Sequence, residues 1–188
     1  LKISTPLPLT LDWKGKEYRT NLVGNYNLEN IDWALSIGKY FGIETQTALQ
    51  KVTEYIPRLQ RSQLLIKDGI NFILDCYNAN PTSMMLALES FIRSVKEPRG
   101  VILGDMLELG SYTEEEHRKI VNFIAKQKID TVVFIGKHFK QALNKVGFKN
   151  FWFEDSNAAK DWSEKQKFIG YTLLLKGSRG IKLENMLS

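Results

Sequence analysis

From about residue 60 onward, short apolar runs rich in β-branched and aromatic residues alternate with longer stretches whose apolar positions recur every three or four residues. The short runs fall at 64–66, 70–74, 101–103, 131–135, 151–153 and 171–175. The stretches with helical spacing fall at 83–95, 114–127, 138–146, 157–166 and 181–187. A period of two marks a strand and a period near 3.6 a helix, so the pattern predicts strands alternating with helices. That alternation implies right-handed crossovers and a mostly parallel sheet, an α/β fold. The first two runs are separated only by Lys67-Asp68-Gly69 and predict a hairpin with an Asp-Gly turn.

The first 57 residues break this rhythm. Residues 9–20 read as a hairpin turning at Lys14-Gly15-Lys16, and two helices are expected near 28–41 and 45–55, the first ended by Gly42. So short a segment can hardly bury a core alone. Residues 1–57 are therefore expected to be the tail of a preceding domain, and 58–188 a complete α/β domain, with the junction near Pro57-Arg58. The chain opens at Leu1 inside what reads as a strand, so it is expected to be a piece of something longer.

Composition narrows the class without naming it. A hydrophobic content of 43% and a charged content of 25% are ordinary for a globular protein. No run approaches the roughly 18 apolar residues of a membrane span, and no leader pattern is visible. A single cysteine, Cys76, rules out an internal disulfide and fits a cytoplasmic setting. The net charge of +5 would suit nucleic acid, but 26 Lys and Arg are interspersed with 21 acids and form no basic block. Small anionic ligands are the better match, with neither nucleic acid nor membrane as partner.

In an open parallel sheet, ligands bind beyond the carboxyl ends of the strands. The predicted exits read Asp75-Cys76-Tyr77-Asn78-Ala79-Asn80, Gly104-Asp105-Met106-Leu107-Glu108-Leu109-Gly110, Gly136-Lys137-His138 and Lys176-Gly177-Ser178-Arg179-Gly180. Several of these groups have simple structural explanations. Asn80 before Pro81 suits a helix N-cap, and Thr113 with Glu116 suits a capping box. Asp105 reads equally well as a turn residue. His117 lies within a helix, as a packing or hydrogen-bonding group, and His138 sits at a solvated helix start. Cys76 reads as a small buried residue. The Lys176–Gly180 segment is less easily explained, because its glycines and cations beside a helix start suit a carboxylate or phosphate.

Taken in order, "GNYNLENIDWAL", "LDCYNANPTSM", "VILGDMLELG", "EEEH" and "LLLKGSRGIKLENML" resemble the Mur ligase family. Within it, "YNANP" with "GDMLELG" is similar to the branch that joins D-alanyl-D-alanine to UDP-N-acetylmuramoyl-tripeptide in peptidoglycan precursor synthesis. The resemblance implies a Rossmann-like C-terminal domain preceded by the end of a central ATPase domain. It implies an ATP-dependent amide ligase working through an acyl phosphate, with ATP and Mg2+ as cofactors, monomeric and cytoplasmic. Asn27 and Asn30 match the asparagines that recognise adenine, Arg61 the arginine that reaches the phosphates, and Asp75 the acid at the ribose, on an exposed strand exit. Tyr77, Asn78 and Asn80, with Lys176, Ser178 and Arg179, fall in the loops facing the acyl substrate. Tyr26 stands where the family usually has histidine. No catalytic residue and no metal ligand is assigned to this chain. A phosphate loop of the form Gly-x-x-x-x-Gly-Lys-[Ser/Thr] does not occur in it, so the chain alone is expected to be inactive. Two other readings are a non-catalytic module binding nucleotide or cell-wall peptide, and a related ligase such as a folylpolyglutamate synthetase.

Overall fold

The computed structural model describes residues 1–57, 61–144, 146–148 and 150–187. Arg58 and the expected boundary at 57/58 lie outside the described residues, as does Lys145 near the end of the expected 138–146 helix.

Two separate sheets form. The first is an antiparallel meander of β1 (Lys2–Pro6), β2 (Leu9–Trp13) and β3 (Lys16–Arg19). Helices α1 (Asn27–Tyr40) and α2 (Thr45–Glu54) follow. Gly42, at φ +77°, lets the chain leave α1 in the left-handed region. Leu9, Leu11 and Tyr18 of the sheet bury against Ile31 of α1 and Leu49 of α2, a small core of their own.

The second sheet has six strands in the order β4-β5-β9-β6-β7-β8, where β4 is Gln63–Lys67, β5 Ile70–Asp75, β6 Arg99–Gly104, β7 Thr131–Ile135, β8 Phe151–Phe153 and β9 Thr172–Lys176. Only the β4–β5 pair is antiparallel. Asp68 and Gly69 have φ of 51° and 74°, the double left-handed turn that matches strand twist. Helices α3 (Pro81–Ser94), α4 (Thr113–Ile124), α5 (Lys137–Leu143) and α6 (Ser156–Ser163) make the crossovers.

Apolar side chains leave both faces of this sheet, as strands covered on both sides require. Ile73, Val101, Leu103, Phe134 and Leu174 meet Met84 and Leu88 of α3, Ile120 and Ile124 of α4, and Phe139 of α5. The alternate residues Phe72, Leu74, Ile102, Val133, Leu173 and Leu175 meet Ala159 of α6 and Leu183. The last strand enters between β5 and β6, so the exits of β5, β9 and β6 are neighbours.

Three local expectations need correction. Thr113 and Glu116 form no capping box, because a 3-10 turn at Gly110–Tyr112 runs straight into α4 and no side chain caps it. The Thr113 hydroxyl instead donates to the Gly110 carbonyl at 2.8 Å. The expected helix at 181–187 is two 3-10 turns, Arg179–Ile181 and Leu183–Leu187, separated by Lys182 at φ +54°. His138 is half-buried, its ring 5.4 Å from that of His117, rather than free in solvent.

Candidate functional site

A cleft of about 870 Å³ lies between the α1–α2 pair and the exit of β5 in the large sheet. That is a volume typical of small-molecule sites. One wall is largely apolar, with Ile31, Leu35, Ile43 and Val52. At its end stand Asn27 and Asn30, and the opposite wall carries Arg61, Ser62, Asp75, Tyr77, Asn78, Asn80 and Lys176. Eight of the residues singled out in the sequence thus share one cavity: Asn27, Asn30, Arg61, Asp75, Tyr77, Asn78, Asn80 and Lys176.

Asn27 is buried at the start of α1, where its amide donates to the Val23 carbonyl at 2.8 Å and its oxygen accepts from Asn30 Nδ2 at 3.1 Å. The two amides are therefore held as a pair. Asn30 keeps its oxygen and its second N–H for a ligand, the donor–acceptor set that a nucleobase edge matches.

Arg61 is exposed, its guanidinium lying 3.7 Å from the centre of the Tyr77 ring. The stack orients the planar fork while leaving its N–H groups available to an oxyanion.

Asp75 is not the open carboxylate expected at a strand exit. Its Oδ2 lies 2.5 Å from Lys176 Nζ, and its Oδ1 accepts from Ser62 N at 3.3 Å. The Asp75 side chain is 16% exposed and that of Lys176 only 2%. Lys176 is therefore a buried, paired cation beneath the cleft floor rather than a free cation at a helix start.

Asn80 does cap α3. Its side chain accepts from Ser83 N at 2.8 Å, and the Ser83 hydroxyl accepts from Asn80 N at 3.2 Å. Pro81 occupies the first turn, where its missing N–H is harmless. Asn78 stays exposed.

Ser178 and Arg179 lie outside the cleft lining. Ser178 is buried and accepts from Leu107 N at 2.9 Å. Arg179 is exposed, 6.0 Å from the Tyr77 ring centre and 3.8 Å from Glu184 Oε1.

Ser62 escaped the sequence reading of site chemistry, and Tyr26 stands out there only for taking the place of a histidine. The Tyr26 hydroxyl and Ser62 Oγ are 3.0 Å apart, linking the segment before α1 to the segment before β4. Burial, reinforced by the Asp75 charge, pushes the Tyr26 phenol above its usual range, so it stays protonated. Ser62 holds φ +51°, a strained conformation for a serine. Nothing at the sequence level marks it apart from its place beside Arg61.

Asp105, at the exit of β6, is buried. Its carboxylate accepts from His138 N at 3.0 Å and Phe139 N at 2.9 Å, capping α5 from across the sheet edge. Gly136, at φ +114°, makes this possible, since a Cβ there would collide with the carboxylate. Cys76 is buried, and that burial, followed by the nearby charges of Asp75 and Glu184, pushes its thiol up to about 12. It is packing, not a nucleophile. Among the described residues no group of three or more His, Cys, Asp or Glu side chains could hold a metal ion, and no helix is long and apolar enough to cross a membrane.

Comparison with known proteins places this geometry in a family. The family profile described as "Mur ligase, glutamate ligase domain" matches residues 58–179. The UDP-N-acetylmuramoyl-tripeptide–D-alanyl-D-alanine ligase of Bacillus subtilis is 31% identical over 179 residues, covering 88% of this chain and 38% of the relative. Its namesake from Treponema pallidum is 28% identical, covering 93% and 39%. The chain thus spans about two fifths of the length of these relatives. Among solved structures, MurF from Acinetobacter baumannii superposes with a TM-score of 0.79 at 23% identity, covering 95% of this chain and 41% of that one. MurF ligase from Thermotoga maritima in complex with ADP gives 0.74 at 20% identity, covering 95% and 42%. A folylpolyglutamate synthase from the same organism gives 0.71 at 16%, covering 99% and 45%, so this fold is not confined to one substrate. With most of its large α/β unit matched by the family profile, and a relative above 30% identity over most of its length, the chain belongs to the Mur ligase family.

Proposed function

We propose that this chain forms part of an ATP-dependent amide ligase that adds D-alanyl-D-alanine to UDP-N-acetylmuramoyl-tripeptide. Residues 1–57 act as the end of a central ATP-binding domain and 58–188 as the C-terminal domain. The observation that carries the reading is one cleft of about 870 Å³ between the two parts. It gathers paired asparagine amides, an oriented arginine and the polar β5 exit against an apolar wall.

In this reading, Asn30, steadied by Asn27, meets the adenine edge, and the apolar wall covers the base. Arg61 meets the phosphates. Asp75 faces the ribose with whatever hydrogen-bonding capacity its pairing with Lys176 leaves. Tyr77, Asn78 and Asn80 face the acyl substrate, with Ser178 and Arg179 behind them. The reaction is electrostatic in character: a peptide carboxylate attacks the terminal phosphorus of ATP and expels ADP, and the amine of the dipeptide then displaces inorganic phosphate. Cations and amides stabilise the charge that develops at each step. Magnesium would supply further neutralisation, and this reading assigns it no ligand among the described residues. The chain acts as a monomer, away from nucleic acid and membrane, in the cytoplasm. By itself it performs no ligation, because its sequence contains no Gly-x-x-x-x-Gly-Lys-[Ser/Thr] phosphate loop.

Titration of the chain with magnesium ATP, followed by amide NMR shifts, tests this. Shifts concentrated at Asn27, Asn30, Arg61 and Tyr77 are expected. Saturable shifts elsewhere, with these four unmoved, would overturn the site. Dipeptide-dependent phosphate release by the pure chain would overturn its inactivity alone.

A further inference from the structure

His117 is a fully buried titratable group that the reading above does not use. Its surroundings define its state. Met106 N donates to Nε2 at 3.0 Å, so that nitrogen is the acceptor. Nδ1 therefore carries the proton and donates to the Thr113 carbonyl at 2.6 Å. The ring is neutral with both nitrogens engaged.

Met106 belongs to a loop tied to two others. Ser178 N donates to the Asp105 carbonyl at 3.1 Å, and Ser178 Oγ accepts from Leu107 N at 2.9 Å. The same hydroxyl reaches the Ala79 carbonyl at 3.5 Å. Ala79 lies between Asn78 and Asn80, both of which line the cleft. The strand exits also touch directly, since a Cβ on Gly177 would come within 2.9 Å of Gly104 Cα. A path of hydrogen bonds joined through the 105–107 backbone thus runs from a buried imidazole to the cleft floor.

We propose that His117 is a positioning residue for the cleft: its neutral imidazole fixes the 105–109 loop, and through Ser178 that loop fixes the segment carrying Asn78 and Asn80. The proposal rests on the cleft being the ligand site.

Protonation would break the arrangement. A proton on Nε2 would face the Met106 N–H, and two donors cannot share that bond. The nearest alternative acceptor is Asp105 Oδ1 at 3.6 Å, already accepting from Phe139 N. Burial holds the imidazole below the ordinary histidine range, with the neighbouring His138 acting in the same direction. The Thr113 carbonyl, Asp105 and Glu116 oppose it. The neutral form therefore persists at neutral pH and gives way only on acidification.

The test follows the amide shifts of Met106, Leu107, Ser178, Asn78 and Asn80 in this chain as pH falls. All five should move with one midpoint below the ordinary histidine value. His117→Gln retains an acceptor and a donor, so it should hold these amides near their neutral positions and abolish the transition. His138→Gln should keep it. His117→Leu should displace all five at neutral pH and speed Met106 amide exchange about tenfold, as loss of one hydrogen bond implies. If that variant does not fold, the wild-type and His117→Gln titrations decide. The Asn78 carbonyl accepts from Lys176 Nζ at 3.5 Å, and Lys176 pairs with the ribose-facing Asp75. The affinity for magnesium ATP should therefore fall several-fold across the transition in the wild type, beyond any change seen in His117→Gln, which corrects for the titration of the nucleotide. If Asn78 and Asn80 stay fixed while Met106 moves, the proposal fails. If the wild type binds no ATP at any pH, the proposed function fails, and the amide transitions still decide the coupling.

Discussion

The Lys176 ammonium lies 2.5 Å from Asp75 Oδ2, joining the last residues of β9 and β5, which are also register partners in the parallel ladder. The pair turns a polar strand exit into a closed floor. With the lysine side chain 2% exposed, its charge is compensated by this one carboxylate, with the Asn78 carbonyl as a longer second acceptor at 3.5 Å.

Asp75→Ala should therefore destabilise the chain by about 3 kcal/mol, the low end of the range for an orphaned buried charge, since Asp75 keeps some solvent contact. The double variant Asp75→Ala/Lys176→Met should regain most of that loss. Urea unfolding midpoints check both. A single variant as stable as wild type would show that water reaches Lys176 in solution.

Arg61 is stacked but exposed, so its truncation should lower stability by at most about 1 kcal/mol, a shift of roughly 2–4 °C in melting temperature. Its effect belongs to ligand binding. Arg61→Ala should weaken the affinity for magnesium ATP several-fold, and Arg61→Lys should not restore it, because the ammonium lacks the planar fork. Wild-type affinity in both variants by calorimetry would remove Arg61 from the site.

Cys76 should resist alkylation. Its thiol, raised to about 12 by burial, has almost no thiolate at pH 8 and gains it only as pH approaches that value. Iodoacetamide should label the chain in urea and leave the native form unmodified over the same period by mass spectrometry. Rapid native labelling would mean that the β5 exit opens readily.

Asn80 separates its two roles by chemistry. Asn80→Ala removes the α3 cap and should destabilise by about 1 kcal/mol, while Asn80→Asp keeps the acceptor and the cap. The aspartate adds a negative charge to the cleft and should weaken binding of an anionic ligand at unchanged stability. Thermal melts beside ligand titrations check this. Equal melts for the alanine variant and wild type would contradict the cap.

The alternation of strands and helices was legible in the sequence to within a few residues, since periods of two and 3.6 are local properties of the chain. β7 and β8 begin and end where the pattern puts them. The Asp68-Gly69 turn and the Asn80 cap were equally legible, because each depends on side chains at most three residues apart. The family resemblance followed from motifs at the strand exits, which short stretches of sequence also contain. What remained hidden were relationships across long separations. Only the placement of β9 between β5 and β6 brings Lys176 onto Asp75, 101 positions away, and makes that acid a structural partner as well as a site candidate. Only the packing of α4 and α5 against the β6 exit makes Asp105 a cap for another helix and His117 a buried acceptor. The start of α4 is a local exception, decided by the 3-10 turn that delivers the chain into it rather than by a Thr113 cap. A side chain's local preference can be read from its neighbours in the chain, but its charge state and hydrogen-bond partners depend on what folding places against it.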